Sequence, residues 1–378
     1  MKDVISVVRP SAVKLLRIIF DYLSRIAKER NVDTILELIA DLGRDVVAAD
    51  RCTVWLIDER KNILWTRVAH GVDRIEIPRN KGIAGVVAES GEPLIINDPY
   101  SDPRFDKEVD KKTGYRTYGI IALPISDSKG KMIGVVQVLN SRTPLKKFTN
   151  KDQQHLVLAA SYAGNQLEAV LLQEEMDNTQ REIIFTLAET CEMRSKETGN
   201  HVKRVAEFSR VLAGFLGMNQ NDALVLKTAS PLHDIGKIAI PDSILLKNGP
   251  LTDEEKIIMN SHTTLGWEML KHSDRIIFKA AADIAIHHHE KWDGSGYPAG
   301  LRSEEISLYG RITAMADVFD ALANTRVYKK AWEKERILKL FQEERGKHFD
   351  PSLIDIMLEH FDSFWNINIR LGDKNIVG

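Results

Sequence analysis

The feature that most constrains this chain is a change of hydrophobic period near Asn150. Before it, β-rich apolar runs are short and broken by Gly, Asp and Asn, the pattern of strands. Residues 52–58 and 63–69 flank a polar turn at 58–62. Residues 118–126 and 132–140 flank Asp127-Ser128-Lys129-Gly130, a hairpin signal. Helical patterns at 33–47 and 83–90 border these runs. After Asn150 the period is helical for almost the whole remainder. Leu156, Ala160, Ala163, Leu167, Val170 and Leu171 form one stripe, and Ile183, Ile184, Leu187 and Ala188 resume it beyond a polar stretch, 173–182, that holds no Pro or Gly. Residues 150–194 are expected as one long connecting helix or two nearly continuous ones. The fold class is then two domains: an N-terminal α/β unit with an antiparallel sheet and flanking helices, and a C-terminal all-α bundle. The expected division is an amphipathic helix at 1–30, a strand-rich domain at 31–172, a helical linker at 173–182, a helical domain at 183–366 and a tail at 367–378.

A length of 378 residues suits such a division. The balance of 52 basic against 54 acidic residues argues against coating a nucleic-acid polymer by bulk charge, yet leaves room for one phosphorylated small molecule in a local site. Cys52 and Cys191 are the only cysteines, so no disulfide framework is expected and a reducing, cytoplasmic compartment fits. Residues 11–27 are apolar, but Lys14, Arg17, Asp21 and Arg25 interrupt them, so they match neither a membrane span of roughly 20 apolar residues nor a signal peptide. Val13, Leu16, Phe20, Leu23 and Ala27 make one helical seam, beside a second row of Leu15, Ile19, Tyr22 and Ile26. Packing on its own domain and homodimerisation both remain open for this helix.

Of 11 histidines, His201, His233, His262, His287, His288 and His289 fall in one helical region, each near acidic or phosphate-philic residues. Convergent imidazoles and carboxylates suit divalent metal. No Cys pairs accompany them, which excludes zinc-finger logic, and no His-Glu-x-x-His occurs, which removes metalloprotease chemistry. Ligands on separate helices place such a site inside a bundle. Two stretches stand out: His233-Asp234-Ile235-Gly236-Lys237, and His288-His289-Glu290-Lys291-Trp292-Asp293-Gly294-Ser295-Gly296-Tyr297-Pro298.

With these stretches, residues from about 185 to 364 resemble an HD-GYP domain, and the likeness extends through Ile240-Pro241-Asp242 and Asp317-Val318-Phe319-Asp320. The resemblance implies a bacterial metal-dependent phosphodiesterase that hydrolyses cyclic di-GMP to linear pGpG, and leaves open whether hydrolysis stops there or continues to GMP. It implies metal ligands at His201, His233, Asp234, His262, His288, His289 and Asp317, with Asp234 bridging. Glu197, four residues before His201, matches a ligand that some members use for a third ion; a solvated helix-end residue is the equal alternative. Two or three divalent ions are expected, iron first and manganese second. In the family the Gly-Tyr-Pro loop is also proposed to dock GGDEF domains, against which a purely architectural turn is the preferred reading. The N-terminal half resembles a GAF domain through Asn97-Asp98-Pro99-Tyr100-Ser101-Asp102-Pro103-Arg104-Phe105 and Thr113-Gly114-Tyr115-Arg116-Thr117. Cyclic-nucleotide-binding GAF domains carry an Asn-Lys pair, a Phe and an Asp-Glu pair. Here Asn140-Ser141, Phe148 and Asp152-Gln153 stand there, so a dimerising spacer is preferred over a nucleotide sensor.

A phosphodiester's negative charge repels hydroxide, and paired metal ions answer this by clamping the phosphate and acidifying a water. Lys237, three residues after Asp234, is expected to stabilise charge gained on a non-bridging oxygen, which makes Asp234 and Lys237 the catalytic pair. Arg326 and Lys329, in a segment resembling the family's Arg-Pro-Tyr-basic run, are the expected substrate-phosphate contacts, with Tyr297 lining the rim. Homodimerisation through the N-terminal and connecting helices is expected. Two alternatives stand beside the enzyme: a catalytically weak cyclic-dinucleotide receptor acting through partners, and an HD-superfamily hydrolase of another nucleotide.

Overall fold

The computed structural model describes residues 11–66, 75–195, 199–325 and 331–372. They form two compact units, Met1–Asp177 and Asn178–Gly378. In the first, β1 (Ala49–Asp58), β2 (Ile63–Thr66), β3 (Ile75–Pro78), β4 (Leu94–Ile96), β5 (Ile120–Ser126) and β6 (Met132–Ser141) make one sheet of order β3-β2-β1-β6-β5-β4. Every neighbouring pair is antiparallel, and β1 and β6 meet in a register that sets Val54 opposite Val136. Alternation sends Cys52, Val54 and Leu56 of β1 to one face and Trp55 to the other.

Both faces are covered. On the first lie α1 (Ala12–Ile26), α2 (Val32–Val46) and the early turns of α5 (Asn150–Arg194); on the second lies α3 (Gly82–Ser90). Helix α2 buries Ile35, Leu36, Ile39 and Leu42, each worth roughly 1.5–3 kcal/mol on burial. Its start is capped by Asn31, whose side chain accepts from Thr34 N. Helix α1 divides its two apolar rows. Leu15 and Ile26 are buried with the domain's own core and Ile19 and Tyr22 lean on it, while Val13, Leu16 and Phe20 stay exposed. Strands β3 and β4, of four and three residues, are too short to declare a period and were not anticipated. The polar helix α4 (Lys107–Thr113) was not anticipated either; Asp106 caps it. The end of the run expected at 63–69 lies outside the described residues.

The long helix α5 is unbroken from Asn150 to Arg194, as its stripe required. Beyond it the second unit is helical, around an aromatic core in which Phe208 on helix Gly199–Phe215 meets Phe319 on helix Leu308–Ala323 edge to face, centroids 4.8 Å apart. Gly236 lets the loop after Asp234 press onto helix His262–Leu270: a Cβ there would collide with the His262 carbonyl oxygen and Gly266 N. Only glycine permits that approach, and it sets Asp234 beside His262. Among the described residues no helix is long and apolar enough to cross a membrane.

Candidate metal centre and catalytic site

The second unit gathers five histidines, His201, His233, His262, His288 and His289, in one largely buried place. His233 follows a short turn, Ser230–Leu232; its Nδ1 faces the Ser230 carbonyl at 2.9 Å. A carbonyl only accepts, so Nδ1 carries a proton and Nε2 is the nitrogen left to face the site. His262 repeats this against Met259 O at 2.7 Å, and His288 against Ala285 O at 3.0 Å. His201 uses a carboxylate, with Nδ1 2.7 Å from Asp320 Oδ2 and Nε2 3.6 Å from Asp317 Oδ1. Four imidazoles are thus oriented by their outer nitrogen, as metal-binding histidines are.

Asp234 stands among them. Its Oδ1 lies 3.1 Å from His262 Nε2 and 3.6 Å from His288 Nε2, and its Oδ2 lies 3.2 Å from His233 Nε2 and 2.6 Å from Lys237 Nζ. The ligating atoms fall into two groups, each within 4.8 Å: Asp234, His262, His288 and His289, and Glu192, His201 and His233. Glu192 Oε1, His233 Nε2 and Asp234 Oδ1 are buried without a hydrogen-bond partner. Three such atoms in one place, each costing kilocalories if left so, mark a donor set that fits divalent cations.

The electrostatics agree. Burial drives the Asp234 carboxyl up, but Lys237, His233 and His262 outweigh it and hold its pKa well below the carboxylate range. Burial lowers His233 too, yet the Asp234 charge prevails and lifts it to about 10. Burial and the neighbouring His288 keep His289 well below the usual imidazole value, so it is neutral and ready to ligate.

Of the predicted residues, His201, His233, Asp234, His262, His288 and His289 come together, and Asp317 reaches His201. Lys237 pairs with Asp234, and the Tyr297 ring stacks on His289 at 4.8 Å. Glu197, Arg326 and Lys329 lie outside the described residues. His287 turns away to Asp283, 3.0 Å distant. Three functional neighbours were missed. Asp320 orients His201 while held by Arg204 and by Asn324 at 3.0 Å. Glu290, 2% exposed, accepts the backbone N–H groups of Ala299, Gly300 and Leu301 and so shapes the Gly-Tyr-Pro turn. Glu192 had one readable signal: it sits four residues after Ala188, on the apolar side of α5.

The first unit has its own pocket, over β1 and beneath α3 and α4, lined among others by Arg51, Trp55, Lys81, Phe105, Tyr115 and Gln137. Its polar groups are committed to one another. Trp55 Nε1 donates to Gln137 at 3.0 Å, Tyr115 OH to Asp50 at 2.7 Å, Arg51 stacks on Tyr115, and Lys81 pairs with Asp106. The residues that carried the resemblance are clamps. Asn97 exchanges two hydrogen bonds with the Phe148 backbone, and Asn140 Oδ1 accepts from Tyr118 N and Gly119 N.

Comparison with known proteins follows this division. A family model described as HD domain matches residues 186–353, and one described as GAF domain matches 31–167. The 3′3′-cGAMP-specific phosphodiesterase 2 of Vibrio cholerae is 43% identical over 228 residues, 60% of this chain and 44% of that protein. The cyclic di-GMP phosphodiesterase response regulator RpfG of Xanthomonas campestris is 42% identical over 184 residues, 49% of each. A cyclic di-GMP phosphodiesterase of Thermotoga maritima is 43% identical over 178 residues, 47% of this chain and 48% of that one. The chain spans about half the length of these curated relatives. Residues 31–167 thus match the GAF-domain model and residues 186–353 the HD-domain model, in that order along the chain.

Proposed function

We propose that the chain is a metal-dependent phosphodiesterase that opens cyclic di-GMP to linear pGpG and carries it on to GMP, its GAF domain serving dimerisation and regulation. The observation that carries this reading is the buried convergence of imidazole Nε2 atoms on Asp234, with His233 Nε2 and Asp234 Oδ1 left without a hydrogen-bond partner. The names of the relatives support the reaction class. His201, His233, Asp234 and Asp317 would hold one divalent ion and Asp234, His262, His288 and His289 another, with Glu197 as ligand to a third. When bound, these ions, iron first and manganese second, supply Lewis acidity and a water of lowered pKa. Lys237 presents its ammonium to a non-bridging phosphate oxygen and stabilises the charge gained there. Tyr297, stacked on His289, lines the rim, and Arg326 and Lys329 hold substrate phosphate. Glu290's grip on the Gly-Tyr-Pro turn supports an architectural role for that loop over docking of a GGDEF domain.

The exposed row of α1 and a seam along α5 (Leu158, Tyr162, Leu172, Met176 and Ile183, on a four-three spacing) support a homodimer packed as a coiled coil. Cys52 and Cys191, buried free thiols, support a cytoplasmic setting.

A second substrate is favoured by one observation: the Vibrio relative named for 3′3′-cGAMP is as similar as those named for cyclic di-GMP. Anaerobic purification with metal counting, then chromatography of products from each dinucleotide, tests both. Conversion of cyclic di-GMP to pGpG and GMP is expected. Turnover of 3′3′-cGAMP alone moves the substrate, and turnover of neither by metal-loaded chain overturns the reading.

A further inference from the structure

The last turn of α5 is built into the catalytic loop. Arg194 donates from its guanidinium to the carbonyls of Lys237 at 2.8 Å, Ile238 at 2.5 Å and Ile240 at 2.8 Å, and to Asp242 Oδ1 at 2.7 Å. Cys191 Sγ lies 3.3 Å from the carbonyl oxygen of Asp234. Between them, Glu192 is 1% exposed; its Oε2 accepts from Ser195 Oγ at 3.2 Å and stands 3.8 Å from Lys237 Nζ, while its Oε1 has no hydrogen-bond partner. The Lys237 ammonium therefore sits between two carboxylates, 2.6 Å from Asp234 and 3.8 Å from Glu192.

Asp234 is the ligand common to both proposed ions. Cations drawn to it weaken its hold on a neighbouring ammonium, since like charges a few ångströms apart repel. Glu192, fixed on a helix that also grips the backbone of Lys237, offers the ammonium a carboxylate that does not depend on Asp234.

We propose that Glu192 is a positioning residue for Lys237: its carboxylate holds the ammonium in place, facing the substrate phosphate, when Asp234 is engaged by metal. Arg194 acts with it by fixing the backbone from which Lys237 extends. This inference rests on the phosphodiesterase reading above. Glu192 also groups with His201 and His233, so service as a metal ligand is the outcome that competes.

The full-length, metal-loaded chain is compared with E192Q, K237A and the double variant, on whichever of cyclic di-GMP and 3′3′-cGAMP the wild type cleaves. Metal per chain is counted in each. The expected result is a kcat for E192Q about 10²-fold lower, with KM within about threefold and metal content unchanged, because one aimed donor is disturbed while ligands and binding surface remain. Adding E192Q to K237A costs nothing more, because the two residues act as one unit. E192D, which keeps the charge, recovers part of the loss. If E192Q does not give a cooperative melt, the cycle is run with E192D, whose shorter reach is expected to lower kcat only while Lys237 is present. A lost ion in E192Q overturns the inference in favour of a ligand, and multiplicative losses in the double variant overturn it outright. An inactive wild type overturns the phosphodiesterase reading and this inference together; an active wild type with an unchanged E192Q overturns this inference alone.

Discussion

The pocket of the GAF unit and the histidine cluster of the HD unit differ in residue types and have opposite hydrogen-bond arithmetic. In the GAF unit the polar groups around the cavity close on one another: Trp55 on Gln137, Tyr115 on Asp50, and Asp110 on Tyr100 and Thr117. In the HD unit Glu192, His233 and Asp234 each keep a buried atom without a hydrogen bond. A closed network is stable alone. An open one is costly until something charged completes it. Pocket and site are therefore distinguished by the imidazoles that only the second contains and by which polar groups already have partners.

The largest test of that contrast is Asp234→Asn. Removing the shared anion of the HD site should lower dinucleotide hydrolysis by at least about 10³-fold and reduce bound metal, measured by product chromatography and metal counting. A variant that kept both would break the comparison. Acid gives the next test. Burial, then Lys291, lowers the His348 pKa from 6.5 to about 4. A group depressed on folding stabilises the fold above pH 6.5, and that contribution drains away as the pH falls from 6.5 through 4. His348→Gln should therefore flatten the acid limb of a urea-denaturation series across that window, by up to about 3 kcal/mol.

Smaller effects belong to the closed network. Asp110 is 6% exposed and accepts from Tyr100 OH at 3.0 Å, Thr117 N at 2.7 Å and Thr117 Oγ1 at 2.9 Å. Asp110→Asn forces one N–H against those donors and should cost about 1–3 kcal/mol in chemical denaturation without changing kcat. Smallest of all, cyclic GMP at about 1 mM should leave the melting temperature of the chain unmoved, because binding to the native GAF pocket would raise it by mass action. A clear rise would erase the contrast between the two pockets.

Much of this was legible beforehand. Helix α5 could be read whole, because 45 residues give a 3.6-residue period time to declare itself and the polar middle holds no helix breaker. Strands β1, β5 and β6 were legible for the same reason at period two. Strands β3 and β4 were not, because three or four residues are no pattern, and their pairing is set by β2 and β5. In the site, the adjacent pairs His233-Asp234 and His288-His289 announced themselves. Asp320 and Glu290 did not, because single carboxylates are common and their work is done on the His201 ring and on the 299–301 backbone, which only folding brings within reach.

The sequence by itself determined the division into a strand-rich half and a helical half, the helix joining them and the identity of most candidate ligands. Those follow from local period and from residue types whose chemistry is intrinsic. Tertiary structure decided which nitrogen of each imidazole faces inward, which buried oxygens lack partners, and that Glu192, nine residues before His201 on another helix, meets Lys237. The physical reason is range. A period is written by neighbours along the chain, whereas a hydrogen bond or an ion pair forms between whatever the packed core brings within about 3–4 Å.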